Sequence, residues 1–193
     1  MIYLDNSATT QIAPEVVEAM IPYLTSEYGN PSSKYYPLAQ NAQQAVEESR
    51  AKVAALIHAK PEEIIFTGGS TESSNMIIKG VADYKKYYEK LGNHIITSKT
   101  EHHATLNTCR FLNGEIYSNH DATFSLNGQS NKVDRGYEVT FLDVDSYGRV
   151  LPDTLSNAIR PTTTLITIMW ANNEIGTIND ISALCDVAHQ NGV

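Results

Sequence analysis

Thr67-Gly68-Gly69-Ser70-Thr71-Glu72-Ser73-Ser74-Asn75 closes the apolar run Ile64-Ile65-Phe66 and opens an amphipathic one. That order reads as a strand, a tight turn and a helix. Two adjacent glycines let the backbone approach a ligand closely, and Ser70 and Thr71 bring hydroxyls and free backbone N–H groups to the start of the helix. Such a corner suits a phosphate. Taken alone, Gly68 and Gly69 would serve equally as a plain turn and Ser70 or Thr71 as an ordinary cap. No Gly-Lys-Ser/Thr follows and no Gly-x-Gly-x-x-Gly is present, so neither the nucleotide P-loop nor the dinucleotide fingerprint is matched. Glu72, in the first helical turn, should oppose a bound anion unless its carboxylate points away or pairs with a cation.

Downstream of the corner, Ile77, Val81, Tyr84, Tyr88 and Leu91 step by three and four along a helix that Gly92 ends. His94 to Thr97 reads as a short strand. It leads into Thr100-Glu101-His102-His103 and a helix containing Leu106 and Cys109. After an irregular stretch come a strand at Tyr137 to Leu142, a helix near Asp153 to Ile159, a β-branched strand at Thr164 to Met169 and a helix from Ile181 to Gln190, with Gly192 at its end. Upstream, Pro14 and Glu15 suit the first turn of a helix with Val16, Met20 and Leu24 on one face, and Ala39 to Ile57 repeats apolar positions at helical spacing.

Strands alternating with helices imply an α/β domain with a mostly parallel, doubly wound sheet and ligand sites at the carboxyl ends of its strands. By that rule Gly68 to Asn75, Thr100 to His103 and Ala171-Asn172-Asn173-Glu174 should share one edge. The alternation fails over 113–136, where half the positions are Gly, Asn, Asp or Ser. This segment reads as an inserted surface loop or hairpin, in which Ile116, Tyr117, Phe124 and Leu126 supply a little apolar surface.

Bulk properties narrow the function. The chain has 193 residues, enough for one domain or part of one, and 14 Lys and Arg against 22 Asp and Glu give a net charge of -8. Excess negative charge argues against a nucleic-acid partner. No apolar run is long enough for a membrane span or a signal-peptide core, which points to the cytoplasm. Cys109 and Cys185 are too few and too far apart for a disulfide framework. His102 and His103 are adjacent, so their side chains diverge, and no metal site is expected.

A phosphate corner, an imidazole after one strand and a paired amide after another suit a flat, phosphorylated aromatic ligand such as pyridoxal 5'-phosphate. Five motifs in order, Ala8-Thr9-Thr10, Gly29-Asn30-Pro31-Ser32, Thr67 to Ser73, Ser98-Lys99-Thr100-Glu101-His102 and Asn172-Asn173-Glu174-Ile175-Gly176, resemble the NifS/IscS group of cysteine desulfurases, class V members of the aminotransferase family. The resemblance implies a three-layer pyridoxal-phosphate transferase fold, truncated, with residues 1–193 forming the N-terminal part of the class V domain and 113–136 inserted. It implies that Ser70 and Thr71 bind the phosphate, His102 stacks on the cofactor ring, Asn173 contacts the ring oxygen, and Ala8 and Thr9 lie on the substrate side. The family's aspartate for the pyridinium nitrogen, its cofactor-binding lysine and its reactive cysteine belong to a later segment, so Cys109 and Cys185 should not inherit the sulfur-accepting role. Relatives take sulfur from L-cysteine, leave alanine and an enzyme persulfide, and supply iron–sulfur cluster or thio-cofactor assembly as homodimers. The expected partners are L-cysteine, a second copy or a complementing C-terminal half, and a sulfur-acceptor or scaffold protein. The alternatives are a non-catalytic remnant that binds a protein partner, and another class V aminotransferase or lyase. The isolated chain is expected to lack desulfurase activity.

Overall fold

His94-Ile95-Ile96-Thr97-Ser98 forms β1, buried at every position, at the centre of a three-stranded parallel sheet in the computed structural model. Its neighbours are β4 (Glu138–Leu142) and β5 (Thr163–Thr167), in the order β4-β1-β5. Ile95 stands opposite Val139 and Ile96 opposite Thr140, and the register against β5 shifts between His94 and Ile95. Consecutive strand residues face opposite sides, so a run apolar at both positions demands cover on both faces. Both are covered. Ile95 packs with Ile78 and Ala82 of α3 (Ser70–Asp83) and Cys109 and Leu112 of α4 (His103–Leu112). Ile96 packs with Leu155 of α5 (Pro152–Ala158) and Leu184 of α6 (Ile181–Gln190), together with Leu142 and Val150. The result is the three-layer α/β arrangement that the alternating pattern predicts.

The structure describes residues 2–118, 123–124 and 133–193, in two units, Met1–Phe66 and Thr67–Val193. The sheet belongs to the second. Two sequence expectations change there. The face of α3 that is buried carries Ile78 and Ala82, one residue on from the expected Ile77 and Val81 row, and Ile77 is exposed. Met76, Ile77 and Ile78 are consecutive apolar residues, so spacing alone leaves two adjacent rows equally eligible; small Ala82 lets the helix lie close to the sheet. The helix then passes into a π-turn over Tyr84–Tyr88, where Glu89 N–H donates to the Tyr84 carbonyl, rather than running on to Gly92. Gly92 serves the entry to β1 instead: a Cβ there would lie 2.3 Å from the Thr162 carbonyl oxygen.

α6 ends as expected. Gly192 takes φ +77°, its N–H donates to the His189 carbonyl, and Val193 N–H reaches back to Ala188, the paired bonds of a Schellman turn. Within 113–136, β2 (Tyr117–Ser118) and β3 (Thr123–Phe124) pair antiparallel, with Tyr117 opposite Phe124. The expected apolar contribution of Leu126 lies outside the described residues.

In the first unit, α1 (Pro14–Thr25) and α2 (Pro37–Leu56) both begin on proline, whose missing N–H is harmless in the first turn. Only Ala39, Ala42 and Ala54 are buried in this unit among the described residues. Val16, Met20 and Leu24 form the expected stripe on α1, yet all three are exposed. The strand expected at Ile64 to Phe66 is not formed. Ile64 has extended dihedrals, but its carbonyl accepts from the Arg50 guanidinium instead of a neighbouring strand, and that guanidinium covers the Phe66 ring at 5.1 Å. β propensity makes a segment extended; only a partner makes it a strand.

Candidate functional site

The glycine corner opens α3 as the sequence predicts. Gly69 is the residue before the helix, and Ser70 and Thr71 are its first two positions, so their backbone N–H groups have no intrahelical acceptor. Gly68, Gly69, Ser70, Thr71, Glu72 and Asn75 line an open cleft of about 530 Å³. A Cβ on Gly69 would meet nothing within 4 Å, so the approach to the turn is clear. Glu72 does not point away, and among the described residues it pairs with no cation. Its Oε2 accepts from Gly68 N–H at 2.6 Å, clasping the turn. Thr67 Oγ1 and Ser73 Oγ, 2.7 Å apart, brace it from the other side. Ser70 and Thr71 stay exposed; Asn75 Nδ2 donates to the Thr71 carbonyl at 2.9 Å, which leaves the two hydroxyls and N–H groups without a side-chain partner among the described residues. The donors therefore fit a phosphate, with one carboxylate close to it.

The turns after β1 and β5 meet. Asn172 Nδ2 donates to the Thr100 carbonyl at 2.9 Å, while its Oδ1 accepts from the N–H groups of Glu174 and Ile175. Both ends of the Asn172 amide are thereby engaged in structure. Asn173, next to it, is exposed at the turn and remains the amide that can meet a ligand. The loop carrying it is closed by Asn172 N–H to Thr177, Gly176 N–H to Asn172 and a bridge between Ala171 and Ile178, with Gly176 at φ +70°. Beneath it, Asn179 donates from Nδ2 to the Met169 carbonyl at 2.8 Å and accepts from Val150 N–H at 2.9 Å.

His102 caps α4. Its Nδ1 accepts from Ala104 N–H at 3.1 Å, which places the proton of the neutral ring on Nε2 and leaves the ring exposed. His103 diverges from it, with ring planes 63° apart, and among the described residues no cluster of three metal-ligating side chains occurs. Glu101 is buried just before the cap. Its Oε1 accepts from Met169 N–H at 2.5 Å and from Ser98 Oγ at 3.2 Å. Burial raises its pKa above the usual carboxylate value, and the bonds from Met169 and Ser98 pull it back down.

Thus the 100–103 and 171–174 turns share one edge of the sheet, as expected, whereas the glycine corner opens a helix without following a sheet strand. Ala8 and Thr9 lie in the other unit: Ala8 N–H donates to the Asp5 carbonyl, and Thr9 Oγ1 lies 2.6 Å from the Tyr3 hydroxyl. Sequence reading passed over Glu101, Asn172 as a structural amide, and Asn179. An acidic residue just after the short strand built around Ile95 and Ile96 is the signal that could have marked Glu101, since a buried carboxylate has to be bonded. Cys109 is fully buried and its thiol is pushed by burial to about 12, so it is inert; Cys185 is exposed.

Comparison with known proteins bears on this arrangement. The profile of the aminotransferase class-V family matches residues 2–117 and 116–193. The cysteine desulfurase IscS of Methanosarcina thermophila is 46% identical over 192 residues, covering 100% of this chain and 42% of its own length, and that of Dictyoglomus turgidum is 47% identical over 189 residues, covering 98% and 42%. Among solved structures, a NifS-like protein superposes with a TM-score of 0.83 at 34% identity over 98% of this chain and 46% of its own, and SspA in complex with cysteine with 0.82 at 35% over 99% and 48%. The chain spans about two fifths of the curated relatives it matches.

Proposed function

Since the chain belongs to the aminotransferase class-V family, whose NifS/IscS branch is pyridoxal-phosphate dependent, we propose that it is the cofactor-approach part of a cysteine desulfurase. In this reading it acts with the remaining family segment to take sulfur from L-cysteine for iron–sulfur cluster or thio-cofactor assembly. The observation that carries the reading is the pairing of two polar turns at the carboxyl ends of β1 and β5, with Asn172 bonded to Thr100 and Asn173 left outward. When bound, the cofactor supplies the electron sink. The chain's own residues hold it: Ser70 and Thr71 donate to its phosphate, the His102 ring offers a stacking face, and Asn173 reaches the ring oxygen. Ala8 and Thr9 serve the substrate side by the same resemblance. A homodimer, a sulfur-acceptor or scaffold partner and a cytoplasmic setting belong to this proposal. Two cysteines outside any disulfide agree with a reducing compartment, and among the described residues no helix is long and apolar enough to cross a membrane.

The test titrates pyridoxal phosphate into the purified chain, treats it with borohydride, and assays sulfide release from cysteine alone and after mixing with the C-terminal segment of the Methanosarcina relative. The chain alone should bind weakly, without stoichiometric labelling of a lysine, and sulfide release should need the added segment. Thr71→Ala and His102→Ala should lower cofactor retention in the mixture. No binding in either state would reject the reading. Turnover by the chain alone would reject the division of labour.

A further inference from the structure

Among the described residues, Glu101 is the one carboxylate buried at the sheet edge that carries the candidate site, and none of their ion pairs includes it. Lys99, two residues before it, is committed to Asp143 on the surface. Burying a carboxylate without a cation is costly, and here the compensation is two hydrogen bonds, from the end of one strand and from the turn after another. Ser98 is the last residue of β1, and Met169 follows β5 by two residues. Directly after Glu101 comes the cap residue His102, and four residues after Met169 comes Asn173. A bond to a charged acceptor is the stronger kind, and 2.5 Å to the Met169 nitrogen is at its short end.

The geometry points to Glu101 as the positioning residue of this site: its carboxylate ties the turn presenting His102 to the turn presenting Asn173, and so holds the imidazole face and the amide in one relation to a flat ligand. This deepens the cofactor-site reading above and rests on it for the identity of the ligand. Two further bonds make the tie specific to these turns. Asn172 to Thr100 joins them on the outside of the edge, and Asn179 holds Met169 through its carbonyl while Glu101 holds it through its N–H. Met169 is therefore gripped at both backbone polar groups by side chains, where a strand neighbour would otherwise stand. With Glu101 removed, the outer tie would act as a single pivot, and His102 and Asn173 would move independently.

The experiment compares the 193-residue chain with Glu101→Ala, which leaves no acceptor, and Glu101→Gln, which keeps Oε1 without the charge. Amide hydrogen exchange is followed at Met169, at 100–103 and 171–174, and at Ile95 and Ile96 as the core reference; pyridoxal phosphate binding is read separately by difference absorbance. Ala should speed exchange in the two turns by about tenfold or more while leaving Ile95 and Ile96 unchanged, and Gln should speed Met169 alone by about threefold. Ala should weaken pyridoxal phosphate binding by about tenfold, and Gln should restore it to within about threefold of the parent. Unchanged exchange in the two turns in both variants overturns the assignment. Equal acceleration in the turns and at Ile95 and Ile96 overturns it too, because Glu101 would then support the whole fold. Should Ala fail to fold, the Gln variant decides: faster exchange at Met169 supports the assignment, and parent-like exchange there rejects it. Absence of pyridoxal phosphate binding in the parent chain, both alone and mixed with the C-terminal segment of the Methanosarcina relative, would remove the cofactor reading, while the exchange data would still decide whether Glu101 couples the turns.

Discussion

Two regions of this chain carry helices of similar quality and bury them differently. Residues 67–193 place α3 and α4 on one face of a parallel sheet and α5 and α6 on the other, with Ile95 and Ile96 fully enclosed between them. Residues 1–66 form a twelve-residue and a twenty-residue helix, yet their buried members are three alanines, and Leu24 on the predicted apolar stripe is 74% exposed. An amphipathic pattern shows that a segment can form a helix. Whether its stripe becomes a core depends on a second surface, and for β1 the sheet and four helices provide it.

The largest effect that would sharpen this contrast is expected at Leu155, which is fully enclosed in the face shared by α5 and α6. Leu155→Ala should destabilise the chain by about 3 kcal/mol, within the usual range for emptying a packed leucine site, as measured by urea unfolding. A loss below about 1 kcal/mol would mean that this face is loosely packed.

Next is Cys109, enclosed with Ile78 and Ile95. Cys109→Ser buries a hydroxyl in the space of a thiol and should lower stability by about 1 to 2 kcal/mol without affecting cofactor retention. In the native parent, iodoacetamide at pH 8 should label Cys185 and spare Cys109, whose thiol stays protonated far above that pH. Rapid labelling of Cys109 would show that the α3–α4 face opens readily.

A third comparison uses pH. His94 is buried with Nδ1 2.7 Å from Thr163 Oγ1 and Nε2 2.8 Å from Thr140 Oγ1, bonds that a neutral ring satisfies by donating from one nitrogen and accepting at the other. Burial lowers its pKa from the ordinary 6.5, nearby Arg160 lowers it further, and Glu138 opposes both. Below 6.5 the unfolded chain gains a proton that the folded chain refuses, so stability is fully present above that pH and declines as pH falls toward the depressed folded value. His94→Gln should flatten the pH dependence of the thermal midpoint between about pH 6.5 and 5, above the range where carboxylates dominate. An unchanged slope would assign the dependence elsewhere.

The smallest effect is expected in the first region. Leu24→Ser, on the exposed stripe of α1, should change unfolding free energy by no more than about 0.5 kcal/mol. A loss comparable to that of Leu155→Ala would break the comparison, because it would mean the α1 stripe is covered in solution.

What the sequence determined by itself was whatever depends on local rules. Proline at the starts of α1, α2 and α5, Gly192 in a left-handed turn after α6, and the apolar β1 run followed by a polar turn all follow from the preferences of a few adjacent residues. The order of strands and helices carried the three-layer parallel fold, because few topologies satisfy right-handed crossovers with both faces covered. The tertiary structure alone decided three things. It chose Ile78 and Ala82 over Ile77 and Val81, since adjacent rows of one helix are equally apolar until a sheet presses on one. It left Ile64 to Phe66 without a ladder, since pairing is a property of two segments. And it divided the work between Asn172 and Asn173 and bonded Glu101 to Met169, 68 residues away, because hydrogen bonds across a fold depend on where both partners finish, which no local pattern in the chain records.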